Sequence, residues 1–369
     1  MKLQTSSADL LAQVGAAARV ASTRSAVQAL SGVQVVTADG RAELRATDME
    51  VGLRVPLEAS VEREGSVVLP ARLLLDVARV LPADQVTLEL RPSESDVEIV
   101  SGSARYHVRT LRGEDFPAFP EPNADNVVRV PAGAFVETVR KVERSASKDE
   151  TRPILTGILV SAVGADLKMV ATDSYRLSVK ETKLDAPLER DFEANVPARA
   201  LGELARLAEG AEDAQLTVAR EENQVIFGVG GAVLSSRLID GQFPNYNQLL
   251  PDGYEHDLVF DTAEVRAVVR RMSLMAQKNA PLRLRFSEGE LTVSAQTPDV
   301  GEASESLPIP FAGEAFEIGF NPEFLRDGLE SVESDQAKLR LISPLRPGLI
   351  EAADESGFLY LIMPIRLNV

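Results

Sequence analysis

Two aspartates stand in the same local setting: Asp48 in LRATDMEVGLRV (residues 44–55) and Asp173 in MVATDSYRLSVK (residues 169–180). A pair of carboxylates can share acid and base work in hydrolysis, so these are the first residues to test for chemistry. Each follows a threonine between two apolar runs. An aspartate in such a turn spends its carboxylate on nearby backbone N–H groups. Turn formation is the favoured reading, and a hydrolase built on Asp48 or Asp173 is the alternative. The rest of the inventory is thin. There is no cysteine, hence no disulfide and no thiolate, which suits a reducing compartment. The two histidines, His107 and His256, are too few for a metal cluster and are expected to be structural or surface residues. GVGGA (residues 228–232) lacks the spacing of a nucleotide loop and sits where a hairpin turn is expected. No P-loop, HExxH or GxSxG occurs. The sequence predicts no catalytic residue, no metal and no cofactor.

Basic residues are the more informative set. The net charge is −17, which argues against a tight, sequence-reading DNA binder. Yet the predicted helix 133–148 carries Arg140, Lys141, Arg144 and Lys148, and the predicted helix 262–278 carries Arg266, Arg270, Arg271 and Lys278 against the single acid Glu264. Arg72 and Arg79, Arg199 and Arg206, and Arg19 and Arg24 add to other helices, while acids crowd stretches such as 185–193 and 314–317. If these helices share one face, that face is basic on an acidic molecule. The alternative is an ordinary solvated helix surface.

The elements that must position these residues repeat. At about 150 residues per domain, 369 residues predict two or three domains. Thr47-Asp48 and Thr172-Asp173 lie 125 residues apart, Pro70-Ala71-Arg72 and Pro197-Ala198-Arg199 lie 127 apart, and Phe116-Pro117 and Phe243-Pro244 again 127 apart. An acid stands six residues after each proline, Asp76 and Glu203, with Asp327 in the matching place of FNPEFLRDGLESV. Each third runs from an amphipathic helix through strands to a second helix and more strands; residues 114–126, rich in proline and asparagine, read as a linker. Such spacing is that of whole domains, giving three α+β domains at 1–122, 126–252 and 255–369. Asp9, Gln13 and Arg19 interrupt a superficially signal-like start, and no apolar run approaches the roughly 18 residues of a membrane span. A cytoplasmic protein with no membrane partner is expected. Near the chain end, Pro364 interrupts an apolar strand and leaves Met363, Ile365 and Leu367 without an obvious pairing partner.

Several motifs in fixed order, ETRPILTG (150–157), ATDSYRL (171–177), DGQFPNYNQLLP (240–251), EIGFN (317–321) and MPIRL (363–367), make the chain resemble the bacterial sliding-clamp family, the β subunits of DNA polymerase III, along essentially its whole length. The resemblance implies the DNA-clamp fold. Two copies join head to tail as a homodimeric ring, with helices lining the hole and β-sheets outside. It also implies a non-catalytic processivity factor that holds double-stranded DNA without sequence specificity and binds the replicative polymerase, the clamp loader, other polymerases and repair proteins. In the bore it places Arg24, Arg72, Arg140, Lys141, Arg144, Lys148 and Arg199. A peptide cleft between the second and third domains is implied at Leu155, Thr172, Tyr175, Arg176 and Leu177, at Pro244, Gln248 and Leu249, at Asn321, Phe324 and Leu345, and at Met363, Pro364, Ile365 and Arg366. Its chemistry suits a motif of glutamine with leucine and phenylalanine anchors. Tyr175 and Gln248 depart from the histidine and arginine often found there, which bears on partner preference. For closure, residues 103–110 face the partner's third domain, with Leu274 and Met275 as apolar contacts and Arg105 opposite Glu302 or Glu305. Asn368 and Val369 extend past the usual end.

Overall fold

The computed structural model describes residues 1–120, 127–211, 213–276, 280–298, 301–354 and 356–367. One order of elements occurs three times. The first pass is β1 (Lys2–Ser6), α1 (Ser7–Val20), β2 (Gly32–Ala38), β3 (Arg41–Thr47), β4 (Val51–Leu57), β5 (Ala59–Arg63), β6 (Gly65–Pro70), α2 (Ala71–Ala78), β7 (Gln85–Arg91), β8 (Asp96–Ser101) and β9 (Ala104–Arg109). The second is β10 (Val127–Pro131), α3 (Ala132–Val142), β11 (Gly157–Val163), β12 (Asp166–Thr172), β13 (Arg176–Lys183), β14 (Phe192–Pro197), α4 (Ala198–Leu207), β15 (Gln215–Arg220), β16 (Gln224–Val229) and β17 (Ala232–Arg237). The third is β18 (His256–Asp261), α5 (Thr262–Ser273), β19 (Leu282–Ser287), β20 (Glu290–Thr297), β21 (Gly301–Pro308), β22 (Phe316–Phe320), α6 (Pro322–Ser331), β23 (Gln336–Leu341), β24 (Gly348–Ala352) and β25 (Phe358–Ile362). Only β5 breaks the pattern.

Local chemistry sets the helix starts. The Ser6 hydroxyl accepts from Asp9 N, the Asp261 carboxylate from Glu264 N, and the Asn321 amide oxygen from Glu323 N and Phe324 N, each satisfying N–H groups that have no intrahelical partner. The buried stripes follow helical spacing, as in Leu10, Val14, Ala17 and Val20 of α1, or Val265, Val268, Val269 and Met272 of α5.

Four antiparallel sheets result. Their strand orders are β5-β1-β7-β8-β9, β10-β15-β16-β17-β4-β3-β2-β6, β14-β11-β12-β13-β25-β24-β23-β18 and β21-β20-β19-β22. Both eight-stranded sheets are therefore assembled from successive domains. β17 pairs with β4 through Leu234 opposite Leu53, and β25 pairs with β13 through Leu361 opposite Leu177. In each case the joining strand, β4 or β13, is the one that follows a Thr-Asp turn. Two compact units divide the chain, Met1–Val136 with Arg199–Leu238 and Glu137–Ala198 with Ile239–Val369. The first two sheets belong to one unit and the last two to the other.

Several expectations are corrected. The helix expected over 133–148 leaves α geometry at Val142 for a 3₁₀ turn, Glu143–Ser145. There the Arg144 carbonyl accepts from the Arg176 guanidinium and the Ser145 hydroxyl bonds that of Ser178. The helix expected over 262–278 ends at Ser273; Lys278 lies outside the described residues, as do Asn368, Val369 and the later part of the expected linker. The strands β1, β5, β10, β18 and β21 were not legible. The segment after Pro364 does have a partner: Ile365 N donates to Gly319 O at 2.8 Å, in an isolated antiparallel bridge. Among the described residues, no helix is long and apolar enough to cross a membrane, a statement that does not extend to membrane β-barrels.

Candidate functional site

Both Thr-Asp aspartates form their turns. Asp48 Oδ1 accepts from Glu50 N and Val51 N, and Asp173 Oδ1 accepts from Tyr175 N and Arg176 N. The next residues, Met49 and Ser174, both have φ +79°, so each turn places one non-glycine residue in the left-handed region. Gly230 and Gly231 sit at φ +56° and +84° between β16 and β17, which makes GVGGA a hairpin turn. His256 packs between Phe311 and Phe316, with ring centroids 5.0 and 5.2 Å away, and His107 is half exposed beside Asp96 and Glu98. Among the described residues no three histidine, aspartate or glutamate side chains are arranged to hold a metal ion.

The residues around the second turn come together with α6 and the segment after β25. Tyr175 is 60% exposed and its ring stacks on Phe324 at 6.5 Å and 28°. The Arg176 guanidinium also lies over Phe324, 4.3 Å from the ring centroid. Arg176 is itself buried, with Nε 3.2 Å from Asp173 Oδ2 and Nη1 2.5 Å from Asp327 Oδ2. Burial works to lower its pKa, but the Tyr360 hydroxyl, Asp327 and Asp173 more than offset this and raise it above the ordinary arginine value. Burial likewise pushes the Tyr360 phenol up; its O–H donates to Phe324 O at 2.8 Å. Thr172 is buried, its hydroxyl donating to Arg176 O at 2.7 Å.

The floor is apolar. Leu177 and Leu361 pack with Val170, Val179 and Leu349, and half-buried Phe243, Tyr246 and Leu250 border them. Leu155 is also buried. Met363 N donates to Tyr175 O at 2.9 Å, so the segment after β25 runs along the turn. Gly319 admits it: a Cβ there would lie 2.6 Å from Leu367 Cδ2 and 2.9 Å from Ile365 O. Asn321 caps α6. Gln248 and Leu249 lie in the 3₁₀ turn Tyr246–Leu249 and, with Pro244, Leu345, Met363 and Arg366, are exposed, whereas Pro364 and Ile365 are half buried. Sequence reasoning missed Gly319, Asp327, Tyr360 and Leu361 here; the glycine of EIGFN and the acid six residues after Asn321 were the available signals.

Of the basic candidates, Arg24, Arg72, Arg140 and Lys148 are exposed. Arg144 is half exposed with Nη1 2.6 Å from Glu330, and Arg199 bonds Asp48 at 2.5 Å. Lys141 departs from expectation. Its side chain is 8% exposed, with Nζ bonded to Ser331 O at 2.7 Å and Glu333 at 2.9 Å. α3 turns it toward the end of α6, whereas the neighbouring Arg140 is exposed.

Among the residues expected at a subunit seam, Leu274 is 81% exposed, while Met275 is half buried against the core of the third domain. Arg105 already bonds Glu98 at 2.7 Å, and Arg271 holds Glu305 in a bidentate pair. Glu302 is the exposed acid of β21.

Descriptions of the DNA polymerase III beta subunit match in three consecutive pieces, the N-terminal domain over residues 1–120, the central domain over 129–245 and the C-terminal domain over 247–366. The beta sliding clamp of Streptomyces coelicolor is 33% identical over 373 residues, covering 98% of each chain. The crystal structure of the DnaN sliding clamp of Pseudomonas aeruginosa bound to griselimycin superposes with a TM-score of 0.88 at 28% identity, covering all of both chains. That from Bartonella birtlesii, also bound to griselimycin, gives 0.90 at 27% with the same coverage.

Proposed function

This chain belongs to the DNA polymerase III beta subunit family, the sliding clamps, as a non-catalytic subunit with the three-domain clamp fold, and on that premise we propose that two copies close head to tail into a ring around duplex DNA. One observation carries the reading. β9 and β21 are the outer strands of their sheets, and each occupies a place in the repeat that is paired elsewhere. β9 stands where β17 and β25 stand, and β21 where β4 and β13 stand. β17 pairs with β4 and β25 with β13. The repeat thus leaves one unused strand of each kind, and β9 of one copy on β21 of the next makes a third joint of the same type. Two such joints close a heterologous dimer.

In this reading the domains are 1–122, 126–252 and 255–369. Leu274 and Met275 supply apolar contact at the seam. Arg105 meets Glu302, because Glu305 is occupied by Arg271. Arg24, Arg72, Arg140, Arg144, Lys148 and Arg199 face the phosphates. Such contacts are loose and salt-dependent and read no bases, as sliding requires. The groove between Tyr175, Phe324 and residues 363–366 takes short peptides from the replicative polymerase, the clamp loader, and other polymerases and repair proteins, with a glutamine and leucine or phenylalanine anchors. Griselimycin, bound in the Pseudomonas and Bartonella crystals, is proposed as a further ligand. The site of action is cytoplasmic.

DNA topology provides the test. Protein placed on closed circular DNA by a clamp loader stays on through gel filtration and is lost when the circle is cut. Equal retention on circular and linear DNA would overturn the ring.

A further inference from the structure

We propose that Asp327 is a positioning residue of the peptide groove, its buried carboxylate holding the Arg176 guanidinium against the Phe324 ring and so fixing the aromatic wall. The inference rests on the groove reading above and adds to it a residue that touches no peptide.

Comparison of the two joints within the molecule separates structural parts from groove parts. Six residues after Pro197 and Asn321 stand Glu203 and Asp327, 7% and 8% exposed. Twelve residues after the starts of α1 and α3 stand Arg19 and Arg144, which reach those acids at 2.8 and 3.6 Å. A buried acid latched by an arginine from the preceding domain is therefore common to both joints, and it answers the need of a buried carboxylate for a partner. The second joint has something more. Three residues past the turn aspartate the first joint has Val51 and the second Arg176; three residues before the buried acid the first has Ala200 and the second Phe324. Only where the groove lies does the acid also hold an arginine stacked on an aromatic ring.

The geometry assigns each contact a task. Asp173 pulls the guanidinium toward the turn, through Nε at 3.2 Å, and Asp327 pulls it inward, through Nη1 at 2.5 Å. Balanced between them, the guanidinium plane covers Phe324. Phe324 in turn backs the exposed Tyr175 ring, and Tyr360 ties the Phe324 carbonyl. Without the Asp327 charge, Arg176 keeps Asp173 as its one carboxylate partner beside the neutral Arg144 and Tyr360 oxygens, and moves off the ring toward the turn.

Binding of a fluorescent peptide carrying glutamine and a phenylalanine anchor is measured on the full-length protein by anisotropy. Asp327→Asn is expected to weaken Kd by about tenfold, the scale of a residue acting through one packed neighbour, with unchanged dimer mass. In a Phe324→Ala background the same substitution has no further effect on Kd, an outcome that general destabilisation does not produce. Asp327→Glu, which keeps the charge but displaces it, gives intermediate affinity and serves if the asparagine variant does not fold. Unchanged Kd in Asp327→Asn, or a loss of equal size with and without Phe324, overturns the proposal. Failure of the unsubstituted protein to bind any such peptide overturns the groove reading instead.

Discussion

At the scale of single residues, the Thr-Asp turns are where sequence and structure agree most closely, because the chemistry is local. Oδ1 of each aspartate bonds the N–H groups two and three residues on. Asp173→Ala removes two backbone acceptor contacts and one side of the Arg176 charge balance. Such a change is expected to cost about 2–3 kcal/mol, read by urea denaturation with two-state fitting. Gly319→Ala tests a steric demand: the new Cβ meets Leu367 and Ile365. It is expected to displace residues 363–367 and weaken peptide binding about tenfold or more, with near-native circular dichroism; unaltered peptide affinity would show that the segment is not part of the groove. Site residues that depend on long-range packing were less legible. Asp327 was visible as an acid at a repeated position, but nothing in the letters says that Arg176, 151 positions earlier, bonds it. Lys141 looked like its neighbour Arg140 because charge is readable and helix rotation is not. In the third domain Thr297 keeps the 125-residue spacing from Thr172, an echo hidden because proline follows it.

At the scale of elements, long periodic segments were legible and short or unpaired ones were not. α1 and the hairpin strands of the first two domains show their apolar alternation plainly. β21, GEASESLP, is mostly polar and exposed, an outer strand that its own sheet pairs on one edge only. Such a strand carries little of the signal that a core imposes. The seam gives a direct prediction. Leu274 is 81% exposed in the single chain, and burying a leucine is worth about 2 kcal/mol, twice over in a ring with two seams. Leu274→Asp is therefore expected to raise the dimer dissociation constant at least about a hundredfold, measured by sedimentation velocity across a dilution series. Arg105→Glu is expected to act more weakly, since an exposed pair contributes about 0–1 kcal/mol; if it has no effect, the pairing with Glu302 is wrong.

At the scale of the whole molecule, the proposed ring makes the contrast between a net charge of −17 and arginine-bearing helices a division of labour. An acidic protein resists non-specific adhesion, and a few cations suffice to hold phosphate loosely. Each phosphate contact releases counterions, so the logarithm of DNA affinity falls with the logarithm of salt with a slope of about −0.9 per contact. Replacing Arg24 and Lys148 by alanine is expected to shallow that slope and shorten residence on circular DNA, with peptide binding intact. A slope unchanged by these substitutions would place the phosphate contacts elsewhere.

The assembly of both eight-stranded sheets from successive domains also constrains how the protein is made. On the ribosome, β4 and β13 can pair at once with β3 and β12, but the other edge of β4 waits for residues 232–237 and that of β13 for residues 358–362. Until then each of the two domains shows nascent-chain neighbours a bare strand edge, the kind that recruits wrong partners. The same joints that make the mature chain continuous make its birth the moment of greatest exposure.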